Sequence, residues 1–129
     1  MTGPRFVVQE HTTGEGVHWD FMIEREGVLV TFRLEQPPQA VLDHAVRAVQ
    51  IFDHPLRFLT YEGPVQKGTG RVSLVDRGMC HGLDEKDGLT TLELRGEILR
   101  GLFTLTRIDG PHWELRSAER NASPFGERT

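Results

Sequence analysis

The chain has 129 residues, one cysteine and a formal net charge of -4. This length fits one domain whose core needs no disulfide or metal to hold it, and the single Cys80 excludes an intramolecular disulfide. The acidic balance argues against the broad basic surface that nonspecific duplex binding requires. Since no apolar run is long enough for a signal peptide or a membrane span, we expect a cytoplasmic protein with no membrane partner.

Short apolar runs with period-two alternation recur along the chain, separated by turns that contain glycine or proline. This pattern is typical of antiparallel strands rather than of βαβ units. The predicted strands, in chain order, span residues 5–10, 17–25, 28–34, 46–52, 57–61, 70–76, 89–95, 98–107 and 112–117. One segment, residues 39–47, favours a helix.

So many short strands around one small core predict an all-β, mainly antiparallel fold: a small closed or nearly closed β-barrel with one or two short flanking helices. Closure would remove exposed strand edges. Residues 1–118 are predicted to form one domain, and the polar residues 119–129 a flexible tail. The alternation places Trp19, Trp113 and most phenylalanines in the core, while Cys80 is predicted to lie in a turn or in the core.

The first predicted hairpin contains the segment HTTGEGVHWDFMIE, residues 11–24. If its second half is a strand, His18 and Asp20 project to one face and the apolar residues between and after them to the other. A glycine-containing turn would bring His11 beside His18. Two imidazoles and one carboxylate suit manganese, iron or zinc with coordination positions left open. The alternative is that the histidines are surface or hydrogen-bonded residues.

Four segments, RFVVQEH, VHWDFMIE, FDHPLRF and YEGPV, occur in an order and at separations that resemble the 3′-phosphoesterase domain of bacterial DNA ligase D. The closing segments GLFTLTRI and HWEL resemble the last hairpin of the same family. The resemblance implies a small β-barrel that binds manganese. It also implies an enzyme that trims DNA 3′ ends, removing a 3′-phosphate or a terminal ribonucleoside to leave a 3′-hydroxyl.

The resemblance also implies roles for single residues. His11, His18 and Asp20 would bind one divalent ion, Mn2+ in the first place, with Zn2+ or Co2+ as alternatives. Gln9 and His54 would be the catalytic residues, with Gln9 beside the site and His54 in contact with the scissile phosphate. A cation here would withdraw charge from a phosphate oxygen and lower the pKa of a water ligand, while His54 would donate a hydrogen bond to the phosphate or protonate the leaving oxygen.

Three positions depart from the family pattern. Met22 stands where the family has an arginine, Phe58 where it has a tyrosine, and Gln36 where it has a lysine. Each change removes a group that would contact a phosphate, so the sequence predicts weaker binding of the transition state. Three basic residues are predicted to take over these contacts: Arg33, Arg47 and Arg71.

These features leave three functions open. The first is a divergent metal-dependent 3′-phosphoesterase that acts on DNA 3′ ends in repair. The second is a catalytically degenerate module on the same barrel that binds a metal, another ligand or nucleic acid. The third is a hydrolase of a small phosphorylated molecule. The predicted partners are accordingly DNA 3′ ends or a small phosphorylated ligand, with separate repair ligase or polymerase proteins as further partners.

Overall fold

The computed structural model of the protein describes residues 3–65 and 70–118. Antiparallel strands dominate this part of the chain, and the predicted tail, residues 119–129, lies outside it. A short helix α1 spans Pro38–Val41, and a 3₁₀ helix spans Leu56–Leu59. The strands are β1 Arg5–Thr13, β2 Gly16–Arg25, β3 Val28–Leu34, β4 Val46–His54, β5 Gly63–Pro64, β6 Arg71–Lys86, β7 Leu89–Arg95, β8 Arg100–Asp109 and β9 His112–Ser117.

Eight of these strands close into a barrel in the order β1-β2-β3-β4-β9-β8-β7-β6, and the pairing of β6 with β1 completes the ring. The two-residue strand β5 adds to the start of β6. Two of the hairpins close through two-residue loops, Glu26–Gly27 and Asp87–Gly88, in which both residues have positive φ. Such loops match the twist of paired strands. The predicted closed, mainly antiparallel barrel is therefore confirmed.

The main core fills the inside of the barrel. Because side chains alternate across each strand, one residue in two points inward. In β2 the inward residues include Phe21 and Ile23, with Trp19 packed at the edge of the core. The prediction that one face of this strand is core is therefore confirmed. The other strands contribute mainly aliphatic and aromatic residues: Phe6, Val8, Phe32, Leu34, Val46, Ala48, Cys80, Leu92, Leu94, Phe103, Leu105 and Leu115.

A second apolar cluster lies on the outside of the barrel. It contains Val7, Met22, Leu29 and Leu59, with Leu56, Phe58 and Leu74 packed against it. The residues from β1 to β3 in this cluster point away from the main core. The 3₁₀ helix packs over them on the outside of the barrel. This second cluster, called the apolar floor below, lies beside the polar residues on the same outer face.

Two secondary-structure predictions were wrong in part. The helix predicted over residues 39–47 is limited to Pro38–Val41, because Val46 and Arg47 pair with Leu115 and Glu114 of β9. The strand predicted over residues 57–61 is instead the 3₁₀ helix. It follows Pro55 and buries Leu59 against the outer face of the barrel. In both segments tertiary contacts override the local pattern.

Strand β6 is longer than the predicted span 70–76, because it continues through the segment GMCHG to Lys86. Gly78 permits this: a Cβ there would lie 2.1 Å from the carbonyl oxygen of Arg95 in β7. Cys80 therefore lies within a strand and in the core, not in a turn. Burial raises the pKa of its thiol to about 11, so the thiol is protonated and unreactive at neutral pH.

None of the helices in the described residues has the length and the apolarity needed to cross a bilayer.

Candidate metal centre and phosphate site

Strand pairing brings the three predicted metal ligands together on the outer face of the barrel. His11 of β1 lies directly opposite His18 of β2, and Gln9 lies opposite Asp20 in the next outward row. The turn between β1 and β2 sets this register, since Thr13 pairs with Gly16 across it. The predicted placement of His18 and Asp20 on the face opposite the core is therefore confirmed.

The distances between the ligand atoms fit a single ion. His11 Nδ1 lies 3.0 Å from His18 Nε2, and His18 Nε2 lies 3.7 Å from Asp20 Oδ2. The three atoms all lie within 4.8 Å of one another. Two atoms about 2.1 Å from one ion are about 3.0 Å apart at an angle of about 90° and about 3.6 Å apart at about 120°. The set supplies three ligands and leaves coordination positions open.

The protonation state of His18 fits a cation at this position. Burial lowers the pKa of His18, with a smaller opposing effect of Asp20, so the imidazole is neutral at pH 7 and able to act as a ligand. His11 Nε2 is buried and has no hydrogen-bond partner among the described residues. Gly70 lies over this nitrogen, where a Cβ would come within 3.1 Å. The metal-binding role itself stays a prediction.

Arg33 orients the carboxylate of Asp20. Its Nε donates to Asp20 Oδ1 at 3.1 Å across the β2–β3 pair, which leaves Oδ2 facing His18. Asp20 is buried, whereas the side chain of Arg33 is 41% exposed. The Arg33 charge offsets that of Asp20, so the net charge of a loaded site would be that of the divalent ion. Such a site suits an anionic ligand.

His54 is held by a fully buried threonine. Its Nδ1 lies 2.8 Å from Thr31 Oγ1, and that hydroxyl donates its one proton to the carbonyl oxygen of Leu29 at 3.0 Å. Since the hydroxyl proton is already used, Thr31 accepts from the Nδ1–H of His54. The neutral tautomer of His54 therefore carries its proton on Nδ1, and Nε2 presents a lone pair.

Burial has the largest effect and lowers the pKa of His54. Smaller effects of Asp20, of a backbone hydrogen bond with Phe52 and of Asp53 raise the pKa, and a smaller effect of Arg33 lowers it. His54 is therefore neutral at pH 7 in the unliganded protein. It is also close enough to Asp20 and Arg33 to be affected by their charges. A hydrogen bond from His54 to a phosphate consequently requires a second proton on the ring, at Nε2.

Gln9 holds the segment that follows His54 in place. It is buried, and its Nε2 donates to the carbonyl oxygens of Phe58 at 3.0 Å and Tyr61 at 3.4 Å. Both amide protons are thus used to anchor the end of the 3₁₀ helix beside Asp20. This geometry indicates that Gln9 positions the 3₁₀ helix next to the predicted metal ligands.

Comparison with known proteins agrees with this arrangement. The DNA Ligase D 3′-phosphoesterase domain matches residues 9–107, a span that contains Gln9, the three predicted metal ligands and His54. The chain belongs to this family.

Individual relatives support the assignment. The chain is 33% identical over 121 residues to the "Multifunctional non-homologous end joining protein LigD" of Mycobacterium bovis, which covers 86% of the chain and 15% of that protein. It is 36% identical over 115 residues to the protein of the same name from Pseudomonas aeruginosa, covering 81% of the chain and 13% of that protein. The chain thus spans about one seventh of the length of these relatives.

Two of the three residues predicted to depart from the family pattern lie in the second apolar cluster. Met22 is fully buried in the second apolar cluster, and Phe58 packs against the same cluster. An arginine at position 22 would bury its charge among these side chains. Gln36 lies apart from the cluster, and its Oε1 accepts a hydrogen bond from His44 Nε2 at 2.9 Å. Met22 and Phe58, the two predicted departures on this face, thus belong to one apolar cluster.

The three predicted phosphate-binding arginines differ in their placement. Arg33 lies beside Asp20, as described above. Arg47 is on the outer face of β4 but pairs with Glu114 at 3.9 Å, away from the metal ligands. Arg71 lies opposite Thr12, so its side chain alternates to the other face of the sheet from His11. The structure thus brings only Arg33 to the predicted metal ligands.

Sequence reasoning missed Thr31. The signal was present, since Thr31 is the polar residue two positions before Arg33 and shares its face of β3. Its partner His54 is 23 residues away, however, and the β3–β4 pairing contains an irregularity between Leu29 and Thr31. The spacing of residues in the sequence therefore could not predict the hydrogen bond between Thr31 and His54.

Replacing Thr31 with valine should lower the pKa of His54, because the ring loses the acceptor of its Nδ1–H and that hydrogen bond is stronger when the ring is protonated. NMR titration of the ring measures this change. Thr31→Ser should restore the pKa. A valine variant that is less stable but has an unchanged His54 pKa would reduce Thr31 to a packing role.

Proposed function

We propose that the protein is a metal-dependent phosphoesterase that processes DNA 3′ ends in repair, converting a 3′-phosphate or a terminal ribonucleotide to a 3′-hydroxyl. The observation that carries this proposal is the cluster of His11, His18 and Asp20, with Asp20 oriented by Arg33. Membership of the DNA ligase D 3′-phosphoesterase family supports the choice of substrate.

The proposed metal is Mn2+, which the family resemblance implies, with Zn2+ and Co2+ as alternatives, since a set of two imidazoles and one carboxylate accepts all three ions. When bound, such an ion supplies Lewis-acid stabilisation of charge that develops on the phosphate oxygens. Arg33 contributes in two ways. It fixes the Asp20 carboxylate through Nε, and its terminal nitrogens make no hydrogen bond to the described residues, which leaves them available to a phosphate.

His54 supplies the proton in this proposal. The ring is neutral in the unliganded protein, and a phosphate dianion bound beside it favours the protonated form. His54 therefore takes up a proton at Nε2 with the substrate, while Thr31 keeps Nδ1–H in place. The protonated ring then donates to the phosphate, or to the leaving 3′-oxygen as water attacks phosphorus and the bond between phosphorus and that oxygen breaks. The 3′-oxygen becomes the hydroxyl of the product, and inorganic phosphate is released.

The proposal is tested with a 5′-labelled primer-template ending in a 3′-phosphate or in a single ribonucleotide, incubated with Mn2+. Wild-type protein should produce a 3′-hydroxyl end, and His18→Ala should not. A chelator should stop the reaction, and added Mn2+ should restore it. Absence of product from wild-type protein that binds Mn2+ in the same preparation would refute the phosphoesterase proposal.

A second candidate, a non-catalytic binding module, is favoured by one observation. The apolar floor of Met22 and Phe58 occupies positions where the family pattern has phosphate-binding groups. This candidate expects binding of a 3′-phosphate end in the presence of Mn2+ without turnover. A third candidate, a hydrolase of small phosphorylated molecules, expects similar kcat/KM for a mononucleoside 3′-phosphate and for a long primer-template. The proposed enzyme should prefer the longer substrate.

Arg33→Ala should lower kcat/KM by about 10²-fold to 10³-fold, because it removes a charged donor and releases the carboxylate of Asp20. The affinity for Mn2+ should fall by about 10-fold to 100-fold, as expected when a group that orients a metal ligand is lost. Steady-state kinetics at saturating Mn2+ separates these two effects.

Two variants serve as controls for Arg33. Arg33→Lys keeps the charge and should recover part of the activity. Arg47→Ala removes an arginine that pairs with Glu114 on the same outer face, and it should change kcat/KM by less than about 3-fold, within the range of exposed ion pairs. An Arg47→Ala defect as large as that of Arg33→Ala would contradict the assignment.

A further inference from the structure

Phe52 is the most exposed large hydrophobic residue in the described part of the chain. It is 74% exposed, whereas Val17, Leu42, Leu89 and Ile108 are between 38% and 46% exposed. The alternation of the sequence places most phenylalanines in the core, and four of them are there. The expectation does not hold for Phe52, so its exposure needs its own explanation.

The position of Phe52 in β4 accounts for its exposure. β4 pairs with β9 only over Val46 to Val49, and the last backbone contact on that side is the hydrogen bond from Gln50 N to Pro111 O at 2.8 Å. Beyond this point β4 is bonded to β3 alone among the described strands. The end of β4 therefore extends past its pairing with β9, and it carries both Phe52 and His54.

The Phe52 ring has a defined orientation despite its exposure. It stacks on the His54 ring with 4.9 Å between centroids and an interplanar angle of 24°. His54 is itself fixed by Thr31 and by an edge contact with the Phe58 ring at 5.6 Å. One face of Phe52 thus lies against the residue that contacts the phosphate in the proposed function, and the ring presents a flat apolar surface to solvent.

We infer that Phe52 is a stacking platform for the nucleobase of the 3′-terminal nucleotide. The inference rests on the proposed function and adds a base-binding subsite to it. A phosphate held at His54 places the base of the same nucleotide within reach of the neighbouring ring. Stacking on an aromatic side chain is tolerant of base identity, because every base has a π face. The platform would therefore suit an enzyme that acts on ends of any sequence.

Kinetics with paired substrates tests the platform. One oligonucleotide ends in a normal nucleotide 3′-phosphate and the other in an abasic tetrahydrofuran 3′-phosphate. Wild-type protein should prefer the base-bearing end by about 10-fold in kcat/KM, equivalent to about 1.4 kcal/mol. Phe52→Ala should remove this preference by slowing only the base-bearing substrate, and Phe52→Trp should keep it. Leu89→Ala, an exposed apolar residue on β7, is the matched control and should have no effect.

A second test measures the binding of DNA with 3′-hydroxyl ends, the product of the proposed reaction, and so does not depend on turnover. The Kd for 3′-hydroxyl ends with and without a terminal base is measured by fluorescence anisotropy in Mn2+. A wild-type preference for the base that is lost in Phe52→Ala supports the platform, even if the phosphoesterase assay fails. Equal affinity of wild-type protein for both ends, or equal losses on both ends in Phe52→Ala, would overturn it while leaving the phosphoesterase proposal intact.

Discussion

Replacing Asp20 with alanine should abolish Mn2+-dependent processing of DNA 3′ ends, lowering kcat/KM by at least about 10³-fold. In the proposed function, the loss of a ligand prevents the ion from binding, and an ion of this kind contributes several kcal/mol of transition-state stabilisation. Asp20 is also the acceptor for Arg33, so the variant disconnects the guanidinium from the site. The barrel should stay folded, because Asp20 lies on the outer face and Arg33 is free to turn into solvent.

Three measurements check this result. Isothermal titration calorimetry should show Mn2+ binding by wild-type protein and none by Asp20→Ala. Thermal unfolding should show a Tm increase on adding Mn2+ only for wild-type protein, and circular dichroism should show the same strand content for both. Glu93→Ala is the matched control, since this carboxylate lies on β7 and pairs only with Arg95 among the described residues. Mn2+-dependent stabilisation of Asp20→Ala would contradict the proposed ligand set.

Replacing Asp76 with alanine should lower the free energy of unfolding by about 3 to 5 kcal/mol, because several buried backbone N–H groups lose their acceptor at about 1 to 3 kcal/mol each. Asp76 is buried, and its carboxylate accepts four backbone hydrogen bonds. Oδ1 accepts from the amides of Arg77 at 3.0 Å, Glu97 at 2.7 Å and Ile98 at 3.2 Å, and Oδ2 accepts from Leu99 at 2.7 Å. Alanine leaves these donors without an acceptor.

Chemical denaturation measures the effect of this substitution. Asp76→Asn keeps one acceptor oxygen and should lose less stability than Asp76→Ala. The site is closely packed, since a Cβ on Gly96 would come within 2.6 Å of Asp76 Oδ1 and 2.7 Å of the Phe6 ring. A compensating water is therefore poorly accommodated. Asp109→Ala, at an exposed carboxylate in the β8–β9 hairpin, should change stability by less than about 0.5 kcal/mol. Equal effects of the alanine substitutions at 76 and 109 would exclude this anchoring role.

The first hairpin shows most clearly what the sequence alone predicts. Alternation in β2 and a short turn after β1 are local properties, so they suffice to predict that His11, His18 and Asp20 share one face and that Trp19 and Phe21 face the core. The loops Glu26–Gly27 and Asp87–Gly88 are equally local, because glycine next to an acidic residue favours the positive φ values of tight hairpins. For the same reason most strands and the barrel class are predictable.

Features that depend on distant segments were not accessible in this way. The chain from 56 to 59 became a 3₁₀ helix because an apolar patch on the outside of β1 to β3 was available to cover. β6 extended to Lys86 because β7 was present to pair with it, and Cys80 was buried as a consequence.

The candidate site likewise has one part that local sequence predicts and another that only the tertiary structure determines. Its predicted metal ligands come from one hairpin, whose register is set by short-range sterics and turn geometry. Its other parts depend on how further strands pair: His54 donates to Thr31 across β3 and β4, Arg33 rather than Arg71 lies beside Asp20, and Phe52 is exposed because β4 extends past its pairing with β9. Strand register and barrel closure decide these contacts, and both depend on the summed packing of the whole core rather than on any local pattern.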